Sequence, residues 1–244
     1  MRFLVCIFAA LCLGGCASDS SAPFKIGVDA TWYPVDFEDQ TAYVNGFVED
    51  LLLEMAWHGR FEWEKVSANS DSLLLGMKQK KYDAVLTSLP RYTFNLAKYD
   101  FSENFLNLGP VLVVDANSPY KKLENIKEGV VGAILGSSFS VEIEKNPMVQ
   151  IRFYPTAPEL LSALEQGEVI GALLGSLTAE NYVRDLYAGR LKIITKPLNE
   201  YGLHLIVEKG ENQKLLKLFN TNLEWIKNKK MKSLLGKWGL TREH

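Results

Sequence analysis

Leu13-Gly14-Gly15-Cys16 carries the most specific chemistry in the chain: a cysteine set directly after two glycines at the end of an apolar run. Met1 and Arg2 make a short positive start, Phe3 to Leu13 are apolar throughout, and small residues lead into Cys16. That layout is a secretory signal. The run is too short for a stable transmembrane helix, which needs about 20 apolar residues. The spacing predicts a lipobox, with residues 1–15 removed and the Cys16 thiol taking a diacylglycerol as the mature amino terminus. Residues 16–23, small and polar after the cysteine, read as a flexible tether. The body then sits in the periplasm or at the cell surface, held to a membrane by lipid, with Ala17 leaning toward outer-membrane sorting. Cys6, Cys12 and Cys16 are the only cysteines, so the body has no disulfide, no thiol nucleophile and no thiolate metal ligand.

The other reactive types are sparse. His58, His204 and His244 are the only histidines. His58 follows Trp57 at an expected helix end, where imidazole serves as a cap, and His204 lies in an apolar strand pattern. There is no Gly-x-Ser-x-Gly elbow, phosphate loop or metal-spaced histidine pair. Glu49, Asp50 and Glu54 share one expected helix and read as a solvated face. Asp29 is the most plausible member of any acid–base pair. More informative is an internal echo: Gly132-Ala-Ile-Leu-Gly-Ser137 and Gly171-Ala-Leu-Leu-Gly-Ser176 are nearly the same hexapeptide. Each reads as a buried strand, a Gly-Ser turn and then a helix. In open α/β sheets ligands bind beyond the carboxyl ends of strands, where helix amino ends offer free N–H groups.

These turns need a scaffold, and the chain supplies one by alternation. Expected strands cover 24–28, 61–66, 82–86, 111–114, 129–135 and 169–174, the last three as near-continuous apolar runs suited to buried strands. Expected helices cover 46–57, 73–80 with Ser70 or Asp71 as its cap, 141 onward, 178–187 and the stretch 213–238. Thr156-Ala157-Pro158-Glu159 reads as a capping box with proline in the first turn, and Gly167 as the stop of that helix. Alternating strands and helices mean α/β layers. Apolar content of 47% and charge of 23% are ordinary for a folded protein. A net charge of −2 implies no nucleic-acid partner. The lysines between 227 and 232 read as cations at a helix carboxyl end.

Ile26-Gly27-Val28-Asp29, Asn45-Gly46-Phe47 with Asp50, Lys81-Tyr82-Asp83, Asp100-Phe101-Ser102, Gly136-Ser137-Ser138 and Lys237-Trp238 occur in this order. Together with Pro34, they resemble the family 3 solute-binding proteins, the amino-acid receptors of ABC importers, over the whole body from Phe24 to about Leu240. The resemblance implies an α/β, two-lobed Venus-flytrap fold, each lobe a mixed, largely parallel sheet flanked by helices. Lobe one would be 24–107 plus 200–244, and lobe two 108–199. It also implies a monomer with no cofactor and no metal, closing on a small solute and delivering it to a permease and its ATPase. By the same resemblance Asp29 and Trp32 line the first wall, with the indole stacking on the ligand. Ser70 lines that wall too. Ser88 meets the ligand's amino group, and Ser137 with Ser138 helps hold its carboxylate.

Two positions depart from the family pattern. Twelve residues after Asp83, where the family has an arginine that grips the α-carboxylate, stands Asn95. Directly after the apolar strand of lobe two, where an aspartate pairs with the α-ammonium, stands Gly175. Neither can neutralise a buried zwitterion, and unpaired buried charges cost several kcal/mol. Arg91, four residues before Asn95, supplies the guanidinium if a local helical turn puts both on one face. Otherwise the ligand is not a free α-amino acid but a peptide, an anion or a ring compound seated on Trp32 and the Gly-Ser turns. Two other readings keep the fold without the pump: a ligand sensor or adhesin, and a dehydratase-like enzyme.

Overall fold

The computed structural model describes residues 22–240 apart from 34, 36 and 138–147. The expectations for Cys16 and its signal, for Pro34, Ser138, the helix from 141 and His244 lie outside the described residues.

Five strands of the first sheet run in the order β2 (Trp63–Ser67), β1 (Phe24–Val28), β3 (Ala84–Thr87), β11 (Gly202–Glu208), β4 (Tyr99–Phe101), and β5 (Leu106–Asn107) also pairs with β11. The second sheet runs β10 (Leu191–Ile193), β6 (Pro110–Asp115), β9 (Gly171–Gly175), β7 (Gly129–Ile134), β8 (Val149–Tyr154). Both sheets are mixed. Parallel pairing is confined to β2-β1-β3 and β8-β7-β9, while β11, β6 and β10 pair antiparallel. The chain crosses between the sheets twice, after Asn107 and before Gly202. Each sheet has its own apolar core. Two α/β lobes joined by two crossings follow directly.

Helix α1 (Thr41–Gly59) buries Val44, Phe47, Val48, Leu51, Leu52 and Met55, a helical stripe that faces the first sheet's core. It starts at Thr41 rather than at Gly46, because a 3-10 turn at Glu38–Gln40 feeds straight into it. Gly46 is therefore not a break. A side chain there would lie 2.2 Å from the Trp238 ring, so the glycine makes the slot in which that indole rests. Trp238 Nε1 and Lys237 Nζ both reach Asp50 Oδ2, at 2.7 and 2.6 Å. Gly46, Asp50, Lys237 and Trp238, far apart in the chain, are one contact, and it docks α7 (Met231–Lys237) on α1.

Other shared motifs also prove to be architecture. The Tyr82 ring fills the space left by Gly27 and Gly76. Asp83 accepts a hydrogen bond from the Lys25 backbone, locking β3 to β1. Asp100 accepts from Lys209, the Gly210 backbone and Gln213, which pins the turn before α6 (Gln213–Lys229).

The remaining caps follow local chemistry. Helix α2 (Ser70–Lys78) is capped by the Asn69 side chain, which accepts from the Ser72 backbone at 2.9 Å, so neither Ser70 nor Asp71 is the cap. Helix α4 (Ala157–Glu165) opens on Thr156, which accepts from the Glu159 backbone, and Gly167 follows its end at a φ of +76°. Thr156→Ala is expected to cost about 1 kcal/mol in urea unfolding, the usual worth of such a cap. His58 does not cap α1. Its Nδ1 meets Asn222 Oδ1 at 2.7 Å and its ring stacks on Trp225.

Candidate functional site

Two hollows meet between the sheets. The inner one, about 540 Å³, lies at the carboxyl ends of the second sheet's strands. Its far wall is the Gly136-Ser137 turn after β7, Gly175 at the end of β9, and Thr156 and Ala157 at the start of α4. Phe37 and Tyr201 close it from the first lobe. The outer one, about 520 Å³, is bounded by Pro90, Arg91, Tyr92, Glu200 and His204. Gly136, Ser137 and Tyr201 belong to both, so the two are one cleft. A larger hollow, about 860 Å³, lies behind the crossings. Its rim includes Glu103 and Lys227, already paired with each other at 2.6 Å, and the Gly-Ser turn of β7 does not face it.

The near-identical hexapeptides take different roles at this cleft. Gly136 sits at a φ of +80°, a backbone that favours glycine, and Ser137 Oγ donates back to the Ile134 carbonyl at 2.7 Å. Gly175 is an ordinary extended residue, φ −54° and ψ 141°, leading into α5 (Ser176–Asp185). Ser176 Oγ turns away to the Asn107 carbonyl. The structure thus brings Ser137 and Gly175 to one chamber.

Several residues expected at the ligand have side chains turned into the protein or lie off the two hollows. Trp32 is 2% exposed, part of the first core, and its Nε1 donates to Asn45 Oδ1 at 2.8 Å. A ring so enclosed has no face to offer a solute; Asn45 and the positive φ of Trp32 (62°) turn it inward. Asp29 is buried as well, and its Oδ1 accepts from the Thr31 backbone and hydroxyl at 2.9 and 2.8 Å, which shapes the loop. Ser88 is buried between the Trp32 carbonyl and the Tyr201 phenol. Ser70, on the first turn of α2, lines neither hollow.

Arg91 and Asn95 do not share a helix face. The short helix α3 spans only Thr93–Leu96, so Arg91 precedes it. Asn95 is 6% exposed, and its Nδ2 donates to the Pro90 carbonyl at 2.8 Å. Arg91 donates instead to the Ser102 carbonyl, with Asn104 Oδ1 at 3.4 Å and the Phe101 ring under its guanidinium. It braces the crossing strands from the cleft's outer floor.

His204, in β11, lies beside that guanidinium. Its Nδ1 is 3.2 Å from Asn104 Oδ1, and its Nε2 is buried without a partner. Because Asn104 Oδ1 only accepts, Nδ1 carries the proton in the neutral ring. Burial and then the Arg91 charge push the imidazole down to about 4, against a Leu89 backbone contact that raises it. The ring is neutral and structural. Tyr201, whose phenol is pushed up by burial, lines both hollows and was not among the residues named from the sequence. The available signal was an aromatic next to a glycine, Tyr201-Gly202, at the expected return between lobes. Thr156 was legible only as a cap, yet it also lines the chamber.

This architecture agrees with the comparisons. The family model of the bacterial extracellular solute-binding proteins, family 3, matches residues 24–241. The chain belongs to that family. Its relatives include a "probable histidine-binding protein" of Neisseria gonorrhoeae, 25% identical over 88% of this chain and 84% of that one. A "probable ABC transporter arginine-binding protein ArtJ" of Chlamydia trachomatis is 26% identical over 97% and 94%. Among solved structures, the L-cystine solute receptor of Neisseria gonorrhoeae in its unliganded open conformation matches with a TM-score of 0.70. It is 22% identical and covers 88% of this chain and 92% of its own, a likeness of fold. As a family 3 member the chain keeps the two-lobed frame.

Proposed function

We propose that this family 3 protein is the lipid-anchored capture subunit of an ABC importer. Cys16 carries the lipid and residues 17–23 form the tether. Residues 24–107 with 200–244 form one lobe and 108–199 the other. A small solute (an amino acid, an amino-acid derivative or a short peptide) enters the cleft, contacts from both lobes favour the closed form, and a permease reads that form. The observation that carries this reading is the continuous cleft at the strand ends, walled on one side by Gly136, Ser137 and Gly175 and on the other by Tyr201. The ligand is atypical for the family in how it is held, because Asn95 is committed to Pro90 and Arg91 to Ser102.

The test is the melting temperature of the purified protein against amino acids, short peptides, organic acids and ring compounds. A ligand of the folded state at a hundredfold excess over its Kd stabilises by about 2.7 kcal/mol. Tyr201→Ala is expected to abolish the shift. A shift that survives Tyr201→Ala undiminished places the solute elsewhere and contradicts the cleft reading. For the anchor, Cys16→Ser is expected to end incorporation of labelled palmitate and to release the protein from the membrane fraction. Retention in that fraction with unchanged labelling contradicts the lipid assignment.

A further inference from the structure

The inner chamber has a definite chemical character. Val35, Phe37, Leu108, Ile134, Leu135 and Leu174 are among its lining residues, and every described side chain that lines it is uncharged. Two of its hydroxyls are engaged within the protein: Ser137 Oγ bonds the Ile134 carbonyl and Thr156 Oγ1 bonds Glu159. Leu135 is 67% exposed. At the mouth, Tyr92 is also exposed, its ring 5.6 Å from that of Phe94.

Gly175 adds an independent observation. Its backbone angles are open to any residue, so glycine is not needed there for conformation. As an N-cap it is also a weaker choice than Asp, Asn or Ser. It stands at the end of β9, on the chamber wall.

We infer that the solute carries an apolar body, branched or ring-sized, that seats in this chamber, in place of a cationic side chain. Val35, Ile134 and Leu135 enclose the body beside Gly175, and the polar end of the solute lies toward Ser137 and the outer hollow. This rests on the capture reading above and specifies the ligand of that same cleft. Burying a leucine- or phenylalanine-sized group removes enough apolar surface from water to strengthen binding roughly tenfold to hundredfold over the same solute without it.

The experiment is calorimetric titration of the full chain with two series that differ only in the body. One is glycine, L-leucine, L-phenylalanine, L-arginine and L-histidine. The other is the cyclic dipeptides cyclo(Gly-Gly), cyclo(Leu-Phe) and cyclo(Gly-Arg), which carry no zwitterion. In at least one series the leucine or phenylalanine member is expected to bind tenfold or more tighter than both the glycine and the basic members. Gly175→Val, which adds a branched side chain at the chamber wall, is expected to remove that advantage. Should Gly175→Val fail to fold, Leu135→Asn at an exposed site is expected to weaken the apolar member tenfold while leaving the melting curve of the free protein unmoved. Tighter binding of arginine or histidine overturns the inference and leaves capture standing. Silence from both series overturns it as well, and capture itself then falls only if the broader melting panel is also silent.

Discussion

Lowering the pH from 6.5 to 4 is expected to cost the folded protein about 3 kcal/mol through one residue, His204, whose imidazole is held down to about 4 from an ordinary 6.5. Below pH 6.5 the unfolded chain takes up a proton that the buried ring refuses, so the unfolded state gains in stability as acid is added. The loss is absent above the unfolded value, grows through the interval and is complete once the folded ring also protonates near 4. The cause is structural. His204 is 1% exposed, edge-on to Phe101, with the Arg91 charge nearby. His204→Leu is expected to flatten the slope of unfolding free energy against pH between 6.5 and 4. A slope unchanged by the substitution contradicts the assignment. Asp100 contributes in a separate and lower window. The hydrogen bonds from Lys209 and the Gly210 backbone hold its carboxyl below the ordinary range, so its contribution is lost only in stronger acid.

Gly202→Ala is expected to destabilise the protein by about 3 kcal/mol or more. A Cβ there would lie 2.3 Å from the Leu106 carbonyl oxygen and 2.8 Å from Asn104 Nδ2. Overpacking usually costs about 1–3 kcal/mol when side chains can shift. Here the obstacle is backbone, and Gly202 pairs with Asn107 where both crossings run side by side. The displaced Asn104 also ties the Glu200 carbonyl at 2.6 Å and accepts from Arg91. The substitution therefore loosens the joint between the lobes as well as the first core. Urea unfolding measures the loss, and a change below about 0.5 kcal/mol, the range of ordinary surface substitutions, contradicts this account of the crossing.

Much of the scaffold was legible from the chain. The buried strands show as apolar runs, and Thr156-Ala157-Pro158-Glu159 reads locally as a helix start because a cap involves only neighbours in sequence. The order of weak motifs identified the family, which the match over residues 24–241 shows. Contacts between distant residues were not legible. Nothing local reveals that Gly46 makes room for Trp238, so the glycine resembled a helix start. The site was legible at the level of position but not of direction. Ser137 and Gly175 were named as cleft residues and both line the chamber. Trp32 was named by its place after the first strand, yet one hydrogen bond to Asn45 and a left-handed backbone turn its ring into the core. Arg91 was named for its spacing to Asn95, but α3 begins two residues later, and the guanidinium follows the crossing strands instead. Side-chain direction depends on partners supplied by other elements, and residue type alone does not carry it.

The most direct measurement is the identity and amount of small molecule released when the full chain, purified from the envelope of the cell that makes it, is denatured and the supernatant is analysed by mass spectrometry. The account predicts one solute approaching one per protein, with an apolar body and no cationic side chain, and its disappearance from the Tyr201→Ala protein. Arginine or histidine recovered at that stoichiometry contradicts the altered cleft. No solute at all, together with a silent melting panel, contradicts capture.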